Sequence, residues 1–293
     1  MRRMKKSGAT SRKIVFAIAF ALLALYCLLI LFFFVYGFLL SVRESQIDVN
    51  NDIANATLFS LPENFSFVNY IKCFGEWGKY TGYEYLTMIW NSIWRTVLSA
   101  FLSWFSTALV CYVLVHYKSK FTEFLYLIGL LISMLPIYGA QGAAYKLYSN
   151  LGIINNPMIN VASITLYGAY FFYMYAFWKS ISHSYIEAAS IDGANHYQIL
   201  FHVMLPQVLP SITALFIMQF ITAWNDYEST AVYMNEYPNL SYGIYVLSEQ
   251  SIYMGIVPMY FAGVILALIP VLTLFIIFQN TIMEKVYLGG LKG

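Results

Sequence analysis

Charged side chains are scarce in this sequence. They make up 10% of its 293 residues, while 60% are hydrophobic and 19% aromatic. A soluble domain carries about 25% charge, so this chain lacks the charge to cover a water-exposed surface. Cysteine is scarce as well. Cys27, Cys73 and Cys111 are far apart, odd in number and without metal-ligand spacing, which leaves them as apolar fillers. The phosphate-binding pattern G-x-x-x-x-G-K-[ST] is missing, and Gly75-Glu76-Trp77-Gly78-Lys79 does not satisfy it, so any ATP chemistry has to come from another chain. H-E-x-x-H and G-x-S-x-G are missing too. His116, His183, His196 and His202 are too scattered along the chain to be read as a catalytic or metal-binding set.

What the sequence has in abundance is long apolar runs. Residues 14–40 carry no charge and follow Arg2, Arg3, Lys5, Lys6, Arg12 and Lys13. A secretory signal has an apolar core of about 7–15 residues and a small-residue cleavage site, so this longer run reads as an uncleaved helix. Five further runs approach or exceed the roughly 20 residues that span a bilayer: 88–115 with Arg95 inside, 124–145 with Pro136, 159–178, 205–233, and 256–278 with Pro258 and Pro270. The expectation is an all-α membrane protein of six spans. The basic residues set its orientation. With the N-terminus inside, the inner segments hold the six basic residues at the start, then Lys118, Lys120, Lys179, Lys285 and Lys292. The outer segments hold fewer, Arg43, Lys72, Lys79 and Lys146, and the long outer loop collects Glu44, Asp48, Asp52, Glu63, Glu76 and Glu84. Both termini are therefore expected in the cytoplasm.

One segment between the fourth and fifth runs breaks the apolar pattern. Ser184 and Glu187 have the spacing of a capping box, in which each side chain satisfies a backbone N–H of the other's turn. Ala188 and Ala189 favour helix, Asp192-Gly193 is a turn pair, and a second helical stretch over 195–203 leads into Leu205-Pro206. The segment reads as two short helices joined at Gly193 on the cytoplasmic surface, its small residues open to close approach by a partner. An ordinary interfacial loop helix would share this pattern.

The spacing Glu187-Ala188-Ala189, Gly193, Val203, Leu205-Pro206 resembles the signature of permease subunits in binding-protein-dependent ABC importers, with Val203 where that family usually has Ile. "EAASIDGA" followed by "LP" resembles its carbohydrate-uptake branch. Further pieces agree in order: "NSIWRTVLSAFLSWFSTALVCYVL" at 91–114, "GIINNP" at 152–157, "AWNDY" at 223–227 and the closing "GGLKG". The likeness covers about 91–293, while 1–90 matches only in layout. This division gives two regions: 1–90 with the basic start, first span and long outer loop, and 91–293 as the transport core. The resemblance implies the type I ABC importer permease fold in a bacterial plasma membrane and a transport subunit rather than an enzyme. Its partners would be a second permease, two ATPase subunits that hold ATP and Mg²⁺, and an external binding protein that delivers a sugar. It implies no cofactor in this chain. Residues 184–203 would form the coupling helix against the ATPase, with Glu187, Ala188, Ala189, Asp192, Gly193, Leu205 and Pro206 as its signature and Glu187 opposite a basic group.

Charged residues within spans are costly and thus functional candidates. Trp224, Asn225, Asp226 and Tyr227 together are a candidate lining for a hydroxyl-rich solute, with the rings stacking on sugar faces and the carboxylate accepting hydroxyl protons. An interfacial aromatic belt is the alternative, and it suits Glu228 better. Arg95 reads as a snorkelling anchor, or else as a partner for an acid such as Asp226. Gln141 and Gln219 are possible pore polars. Two other solute-carrying readings stay open: the same machinery for a non-sugar solute such as a polyamine, and a stand-alone secondary transporter. The second would favour repeated halves, and no second copy of the EAA-type segment is present.

Overall fold

The computed structural model describes residues 2–288 except 58, 63, 135–138, 165 and 169, with side chains described from 12 to 280 apart from those and 211. Pro136, Glu63, Lys292 and the closing GGLKG lie outside the described residues. In chain order the helices are α1 Arg2–Ser41, α2 Gln46–Ala54, α3 Val68–Thr81, α4 Tyr85–His116, α5 Lys120–Met134, α6 Ala140–Asn150, α7 Ile159–Ala162, α8 Phe171–Lys179, α9 Ser184–Ile191, α10 His196–Gln198, a π-helical stretch Ile199–Met204, α11 Leu205–Trp224, α12 Glu228–Tyr233, α13 Leu240–Met254 and α14 Val257–Leu288. The described residues contain no strand. The all-α expectation holds.

Among the described residues, three helices are long and apolar enough to cross a membrane: Arg12–Ser41, Tyr85–His116 and Val257–Asn280. A fourth crossing results if His196–Pro210 and Ile212–Trp224, which meet at 70°, act as one bent span. The remaining apolar runs are interrupted. The run 124–145 divides where α5 ends at Met134 and Gly139, at φ 80°, opens α6. The run 159–178 divides between α7 and α8, a stretch that contains Gly168. Glycine disfavours helix by about 1 kcal/mol, and a left-handed residue cannot continue one. The run 205–233 breaks after Trp224. Asp226 accepts the Ser229 N–H at 3.0 Å and so caps α12 instead of continuing α11.

The chain forms two compact units, residues 1–80 with 247–266, and 81–246 with 267–293. In the first, Cys73, Trp77 and Val42 are fully buried. Trp77 lies so close to Gly263 that a Cβ there would overlap its ring. Asn69 ties the end of α1 in place by donating to the carbonyls of Ser41 and Arg43 at 3.0 and 2.6 Å. Ser45 and Asp48 form a capping box at the start of α2, and Arg43 pairs with Asp52.

In the second unit α4 packs against α11 and α8. Their shared core holds Cys111, Tyr112, Phe171, Met174, Trp178, Met204, Ile212 and Leu215. In a membrane such helices are held by close van der Waals packing and interhelical hydrogen bonds rather than by exclusion of water. The Trp104 indole donates to the Ile212 carbonyl at 2.8 Å, which fixes the register of α4 on α11. This frame carries two polar features, one projecting from it and one recessed into it.

Candidate functional site: a projecting polar segment and a recessed polar cavity

The projecting segment runs from α9 through α10 to the start of α11. Helix α9 ends in a Schellman arrangement. The Gly193 N–H donates to the Ser190 carbonyl at 3.1 Å, and the Ala194 N–H donates to the Ala189 carbonyl at 3.0 Å. Gly193 sits at φ +84°, and the space beside its Cα where a side chain would begin is open to 4 Å, so backbone angle rather than crowding selects glycine. Asn195 then starts α10 with a full capping box. It accepts the Gln198 N–H at 2.9 Å, and its own N–H donates to the Gln198 side chain at 2.8 Å.

The capping box expected at Ser184 and Glu187 does not form. Residue 183 occupies the N-cap position with helical backbone angles and makes no side-chain cap. The Ser184 hydroxyl pairs with that of Ser182 at 2.7 Å, and the Glu187 carboxylate lies 3.3 Å from His183 Nδ1. Because α9 begins one residue earlier in effect, the N3 spacing that the sequence suggested is not available. Glu187 is therefore free of any capping duty and is exposed.

Beyond α10 the backbone widens into a π-helical stretch before α11. The Leu205 N–H reaches back five residues to the Leu200 carbonyl. Pro206 and Pro210, four residues apart, each remove a helical N–H. The Gln207 side chain donates to the Val203 carbonyl at 2.9 Å. Such widened turns recur at functional sites.

One face of the segment is anchored and another is offered. Ala189, Ile199 and Met204 are buried in the core with Trp178. Ala188, Glu187 and Asp192 are exposed. Ile191 and Tyr197 are 86% and 77% exposed, and Tyr185 stands beside them at 49%. Leu205 is half-buried and Pro206 exposed at the start of α11. The histidines, scattered in sequence, gather here: the His116 and His183 rings are 6.1 Å apart, and His196 Nδ1 lies 3.1 Å from the Tyr117 hydroxyl.

The recessed feature is an open cavity of about 250 Å³ within the second unit. Arg95 and Ser99 reach it from α4, Tyr148 from α6, Gln219 from α11 and Asp226 from the break after it. Arg95 does not snorkel. It is 6% exposed, and its Nη1 donates to the Thr230 hydroxyl at 2.7 Å and to the Tyr237 carbonyl at 2.8 Å. The alternative expectation is nearer: Asp226 lines the same cavity and acts electrostatically on Arg95. A guanidinium tied to α12 and its following loop cannot also reach for an interface.

The neighbours of Asp226 face elsewhere. Trp224 is buried and stacks on Phe220 at 6.0 Å, Tyr227 stacks on Tyr245 at 4.5 Å, and the Asn225 side chain donates to the Ile221 carbonyl at 2.9 Å. Gln219 lines the cavity, whereas Gln141 donates to Glu228 at 2.9 Å. Sequence reasoning missed Tyr148, whose ring packs edge-on against Tyr233 at 5.2 Å. The available signal was the "GIINNP" turn. Asn155, at φ 56°, donates its backbone N–H to the Tyr233 carbonyl at 2.9 Å and brings α6 to α12.

Comparison with known proteins places this geometry in a family. The family model for the binding-protein-dependent transport system inner membrane component matches residues 108–286, more than half of the chain. An arabinooligosaccharides transport system permease protein, AraQ of Halalkalibacterium halodurans, is 29% identical over 87% of this chain and 88% of its own. The diacetylchitobiose uptake system permease protein NgcG of Streptomyces coelicolor is 25% identical over 99% of this chain and 93% of its own. A chain from the crystal structure of a bacterial ABC transporter involved in the import of the acidic polysaccharide alginate shares the fold. Its TM-score is 0.74 at 20% identity, covering 92% of this chain and 97% of that one. The chain belongs to the binding-protein-dependent transport system inner membrane components and is a multi-pass membrane protein.

Proposed function

We propose that this family member is one of two permease halves of an importer for a sugar or oligosaccharide. An external binding protein delivers the solute, and two partner ATPase subunits, which hold ATP and Mg²⁺, drive the cycle. The chain itself carries out no catalysis. It crosses the membrane six times, with both termini and the projecting segment in the cytoplasm of a bacterial cell. The basic bias of the inner segments supports that orientation. The sugar-transport relatives support the cargo class.

The observation that carries this reading is the projecting segment. A helix stopped at Gly193, a capped second turn and a π-helical joint to α11 make a shaped handle whose root is in the core. Ile191 and Tyr197 are exposed apolar side chains on it, as expected of anchors that fill a partner's cleft. Glu187, unencumbered by a cap, supplies charge beside them. When the ATPases close, they move this handle as a lever, and α11, which follows it directly, carries the motion to the cavity that it lines. Asp226 is the path residue of this half. Purification through a tag on this chain tests the reading. The expected complex contains a second permease and an ATPase with a phosphate loop, and deletion of the chain abolishes uptake of the oligosaccharide. A chain that purifies alone and transports alone contradicts it.

A further inference from the structure

The polar cavity has one cation and one anion among its described lining, and their balance suggests what it selects. Arg95 is its cationic lining residue and Asp226 its anionic one among the described residues. The guanidinium is almost wholly buried, and its Nε has no hydrogen-bond partner among the described residues, although both bonds of Nη1 are made. A buried guanidinium lining a cavity is by itself a carboxylate receptor, since its donors match a carboxylate's oxygens. Here that capacity is countered. Asp226 has committed Oδ1 to the Ser229 N–H and its backbone carbonyl to Asn239, which donates at 2.7 Å. Its negative charge is thereby held in place facing the cavity that Arg95 lines. A second carboxylate entering would meet a fixed like charge, which is strongly unfavourable at a desolvated contact.

The remaining lining suits a neutral polar guest. Ser99, Ser103, Tyr148 and Gln219 contribute hydroxyls and an amide, groups that both donate and accept hydrogen bonds. The volume, about 250 Å³, is just under the roughly 300 Å³ at which ligand pockets begin, room for one sugar ring.

We infer that this cavity holds a single neutral, hydroxyl-rich sugar unit, and that Asp226 is the residue that excludes an acidic one. The inference deepens the sugar-import reading and rests on it. Asp226→Asn isolates the charge, because asparagine keeps the size and can still cap α12. Tyr148→Phe removes one hydroxyl and keeps the ring against Tyr233.

The test is saturation-transfer NMR on the complex purified through this chain, with arabinotriose, diacetylchitobiose and maltotriose as neutral probes and an alginate trisaccharide as the acidic probe. Wild type is expected to bind at least one neutral probe and not the acidic one. Asp226→Asn is expected to bind the acidic probe and shift the neutral-to-acidic ratio at least about tenfold. Tyr148→Phe is expected to weaken the neutral probe about three- to tenfold, the worth of one hydrogen bond. Equal binding of acidic and neutral probes by wild type, no binding of any neutral probe, or an unchanged ratio in an Asp226→Asn complex of normal yield overturns the inference. If Asp226→Asn fails to assemble, unchanged neutral binding by Tyr148→Phe overturns it. Failure of the sugar-import reading looks different: cells deleted for this chain would then take up every probe as wild type does.

Discussion

The projecting segment and the recessed cavity are both polar breaks in an apolar chain, yet they are built in opposite ways. Residues 184–204 are contiguous, capped by near neighbours and turned outward, with Ala189, Ile199 and Met204 buried in the core and Ile186, Ala194, Leu200 and Val203 packed against it. The cavity takes its groups from α4, α6 and α11 and from the turns between helices, with Arg95 bonded to partners 135 and 142 residues away. A contiguous handle can change its surface without disturbing the fold. A cavity assembled from distant elements shares its residues with the packing, so the same kind of substitution alters shape and specificity together.

The largest expected effect follows from that difference. Arg95→Leu strands the Thr230 hydroxyl and the Tyr237 carbonyl and leaves Asp226 without its counter-charge. Losing hydrogen bonds from a buried charged group costs about 1.5–3 kcal/mol each, so the yield of folded protein and its thermal midpoint in detergent should fall sharply. An Arg95→Leu protein as stable as wild type would break the contrast, by showing that the cavity is as dispensable to the fold as a surface.

Next in size is an interface effect without a folding effect. Ile191→Asp alters a side chain that is 86% exposed, where substitutions usually change stability by less than about 0.5 kcal/mol. If it is an anchor, its loss removes about 2 kcal/mol or more of association. Membrane levels should stay normal while the ATPase no longer co-purifies and uptake is lost. Retention of both functions would remove Ile191 from the docking face.

A smaller effect is expected at Gly193. Its φ of +84° disfavours a side chain by roughly 1–2 kcal/mol, and a β-branched one most. Gly193→Val should lower the stability of the segment, seen as faster hydrogen exchange over 184–198, whereas Gly193→Asn should be nearly silent. Equal exchange in the two variants would show that the left-handed turn does not hold the handle's shape.

The smallest effects sharpen the local detail. Asn195→Ala removes a formed capping box and should cost about 1 kcal/mol, while Ser184→Ala removes none and should cost next to nothing. Hydrogen exchange of the first turns of α9 and α10 reads both. A larger loss at Ser184 would restore the box that the structure replaces with the Glu187–His183 contact.

The handle was legible in the sequence because its determinants are local. Asp192-Gly193 specified the turn, and Leu205-Pro206 marked the return to the apolar helix. Even there, spacing misplaced the cap, since Ser184 and Glu187 fit the pattern but the helix starts around His183. The long apolar runs of α1, α4 and α14 were legible for the same reason. The third and fourth runs were not, because average apolarity does not register a left-handed Gly139 or the gap before Phe171. Least legible was the cavity. Nothing near Arg95 in the chain announces Thr230 or Tyr237, and Tyr148 is one tyrosine among 26. Asp226 stood out only through the cost of a charge in an apolar run, and its sequence neighbours Trp224 and Tyr227 face other rings.

The central claim is that the projecting segment docks on the ATPase, and proximity tests it most directly. A photo-crosslinking benzoylphenylalanine at Ile191 of the assembled importer, with the same residue at Phe65 of the first unit as the control, is irradiated and its adducts are identified by mass spectrometry. The account predicts an ATPase adduct from position 191 and none from position 65. An ATPase adduct from both, or one from neither with an external binding protein trapped at 191, would contradict it.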